Sequence, residues 1–329
     1  MYGRWTVLGH RNLVATYPGI LDLVGNTPMV DVSRLSPNRE VRLYAKLESM
    51  NPFGSVKDRA AKAMLLDAYA RGLLRKGQHI VEPSSGNTGI ALAGMSKILG
   101  NTITIVLPEN VTKERKDTLL SYSAQLVETP ANLGSDGAIV RAGELAASNP
   151  DWFMPFQYAN DANPTAHYKT TGPEILRDCP LVTHFVAGLG TSGTLMGVGR
   201  YLLEHDPRVQ VVAVEPPTGE TVDGLRNVDS GYVPVIFENW DGFSVLSRRR
   251  IVRAEESILC ARRLVSECGI YAGPSAGAAL AGALKVAESI ASGHIVFIVC
   301  DSASKYLSTG IYSAGIEQAR DALEKVSYF

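Results

Sequence analysis

The stretch His184-Phe185-Val186-Ala187-Gly188-Leu189-Gly190-Thr191-Ser192-Gly193-Thr194 passes from a short apolar run through a glycine-rich turn into an amphipathic segment. A buried strand, a tight turn and a helix are the parts of an α/β unit. The alternation recurs outward in both directions. Strand-length runs fall at Val41–Leu47, His79–Glu82, Thr102–Leu107, Gln125–Glu128, His184–Ala187, Val209–Val214 and Ile295–Cys300. Helix-length stretches fall at Asp58–Ala70, Thr88–Leu99, Thr112–Ser123, Ser135–Ala147, Gly193–Glu204, Glu255–Cys268, Ala276–Ser289 and Ile316–Lys325. In one of them Ile258, Ala261, Leu264, Val265 and Cys268 return on a single face. The pattern predicts an α/β fold with parallel sheets. The segment Glu215 to Arg253, rich in Pro, Gly and Asp, reads as a loop too long to be a passive connection.

At 329 residues the chain suggests two domains, at about 150 residues each. Its 32 basic and 33 acidic residues leave a net charge of −1, which argues against gripping nucleic acid or an anionic membrane surface. A hydrophobic content of 45% excludes a disordered chain. No apolar run approaches the roughly 18 residues of a membrane span, and Met1–Asn12 lacks an apolar core of signal-peptide length. The four cysteines form no C-x-x-C pair, and the six histidines show no metal-ligand spacing. The expectation is a metal-free cytoplasmic protein with reduced thiols.

Four turns carry chemistry. In Asn51-Pro52-Phe53-Gly54-Ser55-Val56-Lys57-Asp58-Arg59, Ser55 suits a helix cap and Lys57 falls in the first helical turn. The positive end of the helix dipole disfavours an ammonium there and favours a neutral, reactive amine. The plainer reading is a solvated lysine balanced by Asp58. Glu82-Pro83-Ser84-Ser85-Gly86-Asn87-Thr88-Gly89 leaves a strand for a helix, so its N–H groups and hydroxyls suit a carboxylate. A capped turn without ligand fits it equally. Gly188 to Thr194 suits a phosphate. Its G-x-G-x-x-G spacing, with Glu215 closing the next strand, also fits a nicotinamide-dependent oxidoreductase. Gly273-Pro274-Ser275-Ala276-Gly277 is a tight turn in which Ser275 is either a cap or a polar contact for a ring nitrogen. Together the four make the inventory for pyridoxal phosphate acting on an amino acid.

On these residues, and on Leu23-Val24-Gly25-Asn26-Thr27-Pro28, the chain resembles the fold-type II pyridoxal-phosphate enzymes of the cysteine synthase and cystathionine β-synthase group, from about Ile20 to Gly310. The resemblance implies two parallel-type sheet domains, tryptophan synthase β-like, with the cofactor in the cleft between them. A smaller mobile domain spans 46–158, and 1–45 with 159–329 form the larger. Lys57 is then the cofactor-bearing catalytic lysine, and Asn87 contacts the phenolic oxygen. Ser84, Ser85, Gly86, Asn87 and Thr88 close on the substrate carboxylate with Gln157 nearby. Gly190, Thr191, Ser192, Gly193 and Thr194 hold the phosphate, and Ser275 gives the ring nitrogen a neutral partner. The implied reaction is β-replacement on O-phosphoserine or O-acetylserine through an α-aminoacrylate, yielding L-cysteine.

Leu225-Arg226-Asn227-Val228-Asp229-Ser230-Gly231 and Lys305-Tyr306-Leu307-Ser308-Thr309-Gly310 resemble the type B, O-phosphoserine-using members. Arg226 is the expected reader of the leaving phosphate. A surface pair with Asp223 or Asp229 is its plainer reading. The nucleophile stays open among sulfide, thiosulfate, homocysteine, a sulfur-carrier thiocarboxylate and an amine giving a diaminopropionate-type product. A homodimer is implied. A non-catalytic sensor on the same fold is the remaining alternative. Ser84 stands where many members have Thr, Phe53 replaces a small polar residue, and Pro274 is unusual. Met1–Asn12 and Ser327-Tyr328-Phe329 match poorly.

Overall fold

The computed structural model describes residues 16–230 and 233–326. Met1–Asn12, Gly231 and the terminal Ser327-Tyr328-Phe329 lie outside them. The chain begins with strands β1 (Met29–Asp31) and β2 (Val41–Leu47) and helix α1 (Lys57–Ala70). Next come β3 (His79–Pro83), α2 (Asn87–Leu99), β4 (Thr102–Pro108), α3 (Lys113–Ser121), β5 (Gln125–Thr129) and α4 (Gly134–Ser148). Helices α5 (Ala162–Ala166) and α6 (Gly172–Asp178) flank a π-turn at His167–Thr171. They are followed by β6 (His184–Gly188), α7 (Gly193–His205) and β7 (Gln210–Glu215). Short helices α8 (Val235–Asn239) and α9 (Gly242–Val245) lead to β8 (Arg248–Ile251). The chain closes with α10 (Ala254–Cys268), α11 (Pro274–Ala287), β9 (Gly293–Val299) and α12 (Ile316–Val326).

Two sheets organise these elements. One runs β1-β2-β9-β6-β7-β8 and the other β3-β4-β5. Every pairing is parallel except β1 with β2, so the larger sheet is mixed and the all-parallel expectation is corrected at that edge. The central strands are Val/Ile runs buried on both faces, as helix-covered parallel strands must be. Helix α11 is buried along nearly its whole length, which explains its Ala and Gly content. A side chain at Gly277 would sit 2.0 Å from the Ser257 carbonyl oxygen. On α10 Ile258, Ala261 and Leu264 are buried while Val265 and Cys268 are half-buried. The expected loop from Glu215 to Arg253 instead contains α8, α9 and β8.

The parallel strands deliver the turns of interest to one region. Ser84 follows β3, Gly190 follows β6 and Asp301 follows β9, each at a strand's carboxyl end, where α/β sheets bind ligands. All four cysteines are free, no group of His, Cys, Asp and Glu able to hold a metal occurs among the described residues, and no described helix is long and apolar enough to cross a membrane.

Candidate active site

Lys57 is the first residue of α1, and its approach is pinned. Val56 N–H donates to the Cys300 carbonyl at 2.8 Å, and Ser55 bridges Asp301. Val56 holds the N-cap position, one residue later than expected, while the Ser55 hydroxyl accepts from Lys57 N–H at 3.2 Å. Asp58 does not balance Lys57. Its carboxylate turns back to accept from Phe53 N–H at 2.6 Å and from the Ser55 hydroxyl at 3.2 Å, closing the turn, and burial pushes it up to about 7. Burial also lowers the Lys57 pKa, with Cys300 and Asp301 opposing. Desolvation thus joins the helix field in favouring the neutral amine.

The Ser84 hydroxyl accepts from Gly89 N–H at 2.9 Å, tying the strand exit to the first turn of α2. The Thr88 hydroxyl donates to Gln157 Oε1 at 2.6 Å. Gln157 is held by Glu82, whose buried carboxyl accepts the N–H groups of Phe156 and Gln157 at 2.7 and 3.0 Å. Burial pushes Glu82 up to about 7. The Asn87 amide donates to Asp301 Oδ2 at 2.8 Å and accepts from Lys305 Nζ at 2.6 Å.

In the Gly190–Thr194 turn, Ser192 takes a left-handed conformation and α7 starts at Gly193. A Cβ at Gly190 would lie 2.6 Å from the Gly224 carbonyl oxygen, so only glycine fits. Asn163 donates to the Gln157 carbonyl at 3.0 Å and the Thr191 hydroxyl at 3.1 Å, joining the two turns. The Thr194 hydroxyl lies 3.3 Å from His167 Nε2. Burial, aided by Arg59 and Lys57, holds that histidine well below its usual pKa and therefore neutral. Ser275 is the second residue of α11, after Gly273 at the cap and Pro274, so it is not the cap. It is buried, and its hydroxyl adjoins the Cys300 thiol, which burial pushes up to about 11.

Lys57, Ser84 to Thr88, Gln157, Gly190 and Thr191 meet around one cavity of about 70 Å³, with Tyr158, Arg115, Asp223 and Gly224 completing the wall. Ser192, Gly193, Thr194, Ser275 and Arg226 stand outside that lining. Arg226 donates its backbone N–H to the Leu189 carbonyl. Its guanidinium lies over the Tyr158 ring, 5.5 Å from the centroid, and 3.9 Å from Asp136. The expected partners are taken: Asp223 pairs with Arg115 at 2.7 Å and Asp229 with Arg249 at 2.9 Å. Arg115 itself is buried beneath Tyr306. A larger cleft of about 660 Å³ between α1, α5 and the Pro155–Phe156 segment holds none of the expected site residues. Glu215, which dinucleotide binding would aim at a ribose, is instead buried, accepts from Val228 N–H at 3.3 Å and faces Arg249 at 3.6 Å.

Asn163, His167, Arg115 and Asp301 carry no signal in the sequence, and Asp223 enters there only as a candidate partner of Arg226. Asp223 stands in an Asp-Gly turn, while the other four lie outside any turn with a local signal and are delivered by other elements.

A family profile described as pyridoxal-phosphate dependent enzyme matches residues 20–301. Cysteine synthase B of Pseudomonas aeruginosa is 40% identical over 301 residues, which cover 91% of this chain and 99% of that protein. The crystal structure of an O-ureido-L-serine synthase superposes with a TM-score of 0.85 at 38% identity, covering 91% of this chain and 96% of that one. An O-acetylserine-dependent cystathionine β-synthase from Helicobacter pylori gives 0.83 at 34% identity, covering 90% and 99%.

Proposed function

Because the chain belongs to the pyridoxal-phosphate dependent enzymes, we propose that it exchanges the β-substituent of an activated L-serine for a sulfur nucleophile and releases L-cysteine. The observation that carries this reading is the buried, pKa-lowered amine of Lys57 in the same cavity wall as the Ser84–Thr88 turn. The residues present fit the cofactor. Lys57 supplies the amine, Asn87 an amide, and the Gly190 cradle, which a Cβ would fill, leads to the α7 N-terminus suited to a phosphate. Ser275 offers the ring nitrogen a hydroxyl, a neutral group. When bound, pyridoxal phosphate supplies an electron sink for the substrate's Cα.

The chain's own residues do the rest. Lys57 removes and returns the α-proton, for which it must be neutral at working pH. Ser85, Thr88 and the N–H groups opening α2 receive the carboxylate, with Gln157 holding the Thr88 hydroxyl in place. The unit 46–158 closes over the substrate and excludes water. The cavity's small volume supports such movement, since ligand pockets usually begin near about 300 Å³. Arg226, on the Leu225–Asp229 segment beside the cavity, reads the phosphate of O-phosphoserine. The four free thiols support a reducing, cytoplasmic setting, and a homodimer is the expected assembly.

The test begins with the visible spectrum. The parent should turn yellow with pyridoxal phosphate and Lys57→Ala should not; a parent that stays colourless refutes the reading. Turnover of O-phosphoserine and O-acetylserine with sulfide, thiosulfate, a carrier thiocarboxylate and an amine then assigns donor and nucleophile. Arg226→Ala should lower kcat/KM for O-phosphoserine at least about tenfold more than for O-acetylserine, the scale of one charge-assisted contact. Equal losses would show that Arg226 does not read the phosphate.

A further inference from the structure

The side-chain amide of Asn87 is gripped at both ends. Lys305 Nζ lies 2.6 Å from Oδ1, and Asp301 Oδ2 accepts from Nδ2 at 2.8 Å. Lys305 belongs to the 3₁₀ turn Ala303–Thr309, and Asp301 directly follows the loop out of β9. Neither has a role in the chemistry described above. An ammonium has three donors and no acceptor. Around Lys305 Nζ stand three oxygens: Asn87 Oδ1, the Gly54 carbonyl at 3.1 Å and the Phe53 carbonyl at 3.5 Å. The count matches the three donors of an ammonium; burial lowers the Lys305 pKa, with Arg115 adding to that, while the carboxyls of Asp301 and Asp58 oppose it.

This arrangement settles which end of the amide is which. An Asn amide is normally free to turn over, because its oxygen and nitrogen are nearly equivalent in shape. Here a donor-only group faces one end and a carboxyl oxygen faces the other, so both neighbours select the same orientation. Asp301 takes one of the two Nδ2 hydrogens and Lys305 one of the two lone pairs of Oδ1. What Asn87 retains for the cavity is the second N–H. The residue thereby keeps a donor of fixed orientation, which suits an oxygen carrying negative charge.

We propose that Lys305, acting with Asp301, is a positioning residue that locks Asn87 as a hydrogen-bond donor toward the phenolic oxygen of the cofactor. The inference rests on the pyridoxal-phosphate reading above and adds to it a residue that acts through another. Lys305 also holds the Phe53–Gly54 turn that leads to Lys57, so a merely structural role must be separated from the proposed one.

A double-mutant cycle makes that separation. Lys305→Met keeps the chain length and removes every donor. The readouts are the Kd for pyridoxal phosphate and the pH midpoint of the visible absorbance of the lysine-bound cofactor. Lys305→Met should weaken the cofactor about tenfold, the loss of one charge-assisted hydrogen bond, and shift the midpoint in the same direction as Asn87→Ala. Added to Asn87→Ala it should change neither readout further, and Lys305→Arg should recover most of both. Where Lys305→Met does not fold, Lys305→Gln removes the charge with less disturbance and takes its place in the cycle. Equal effects of the lysine substitution with and without Asn87 would overturn the proposal in favour of turn-holding. So would parent-like values in Lys305→Met. A parent that develops no visible absorbance with pyridoxal phosphate would instead overturn the underlying reading, and the proposal with it.

Discussion

Arg59, two residues beyond Lys57, offers the sharpest test of how the catalytic helix is anchored. Its buried guanidinium donates to Glu48 through Nε and Nη2, both at 2.8 Å, and to Glu174 through Nη1 and Nη2, both at 2.7 Å. Lys46 adds a second cation, with Nζ 2.8 Å from Glu174 Oε2. Lys46 Nζ also lies 3.7 Å from Asp178 Oδ2, so two cations meet three carboxylates with little access to water. Replacing Arg59 with Met keeps comparable apolar bulk, removes the cation that Glu48 pairs with and leaves Glu174 to Lys46. Breaking a buried pair from one side costs about 3–5 kcal/mol, because the remaining charge is stranded. Against a typical total of about 5–15 kcal/mol, that is a large fraction of stability. The pH dependence gives a second reading. Burial alone would raise the Glu174 pKa, but Arg59 and Lys46 reverse this and hold it at about 2. Its unfolded value is near about 4.3. The stabilisation is therefore present above that value and lost as pH falls toward 2. Without Arg59 the folded-state Glu174 holds its proton more tightly, so the variant's deficit should be largest at pH 7 and shrink below about pH 4. Urea unfolding of parent and Arg59→Met at both pH values measures this. A deficit under about 1 kcal/mol at pH 7, or one that grows in acid, would refute the stranded-charge account.

Two other substitutions probe the cavity walls. Gly190→Ala places a methyl 2.6 Å from a backbone oxygen that cannot rotate away. It should cost about 1–3 kcal/mol of stability and raise the Kd for pyridoxal phosphate at least about tenfold by displacing the turn; a parent-like Kd would dismiss the cradle. Glu82, raised to about 7 by burial, contributes stability below its unfolded pKa of about 4.3 that is lost as pH rises through 7. Glu82→Gln should flatten that part of the stability–pH curve in urea melts, and an unchanged slope would place the titration elsewhere.

The elements that sequence made legible are those whose burial pattern is local. Val41–Leu47 has the expected bounds because its alternating Val41, Leu43 and Ala45 are the residues the sheet buries. β8 carries no such signal, because Arg248, Arg249 and Arg250 show no apolar alternation; it is a mostly exposed edge strand placed by its pairing with β7 and by Lys285, which donates to the Ile251 carbonyl at 2.8 Å. β1 is three residues long with no fully buried member. The helical stretch from Ala162 to Asp178 contains Pro164, Gly172 and Pro173, which read as breakers, although the prolines fall near helix starts where they do little harm. The same division governs the site. Lys57, Ser84 to Thr88 and Gly190 to Thr194 each sit in a strand-to-helix or turn-to-helix junction with its own chemical signature. Asp301, Lys305, Arg115, Asp223 and Asn163 acquire their roles only from what the fold places opposite them.

That distinction bears on how the closing motion can work. The elements of the smaller sheet meet the rest through polar seams of two kinds. At Arg59 the seam is a buried network of carboxylates and cations that borders the larger cleft rather than the small cavity. At Thr88–Gln157 and Arg115–Asp223 the bonded residues themselves line the cavity. A ligand entering there can take over hydrogen bonds that the walls make to each other, so parting those walls exchanges contacts rather than stranding charge. Parting the Arg59 seam would strand at least one carboxylate at a cost of several kcal/mol. Motion in the proposed mechanism should therefore pivot near the start of α1 and open at the Ser84–Thr88 turn. Lying near that pivot, the lysine should move least while the carboxylate-binding loop moves most, which holds a proton acceptor ready for each arriving substrate.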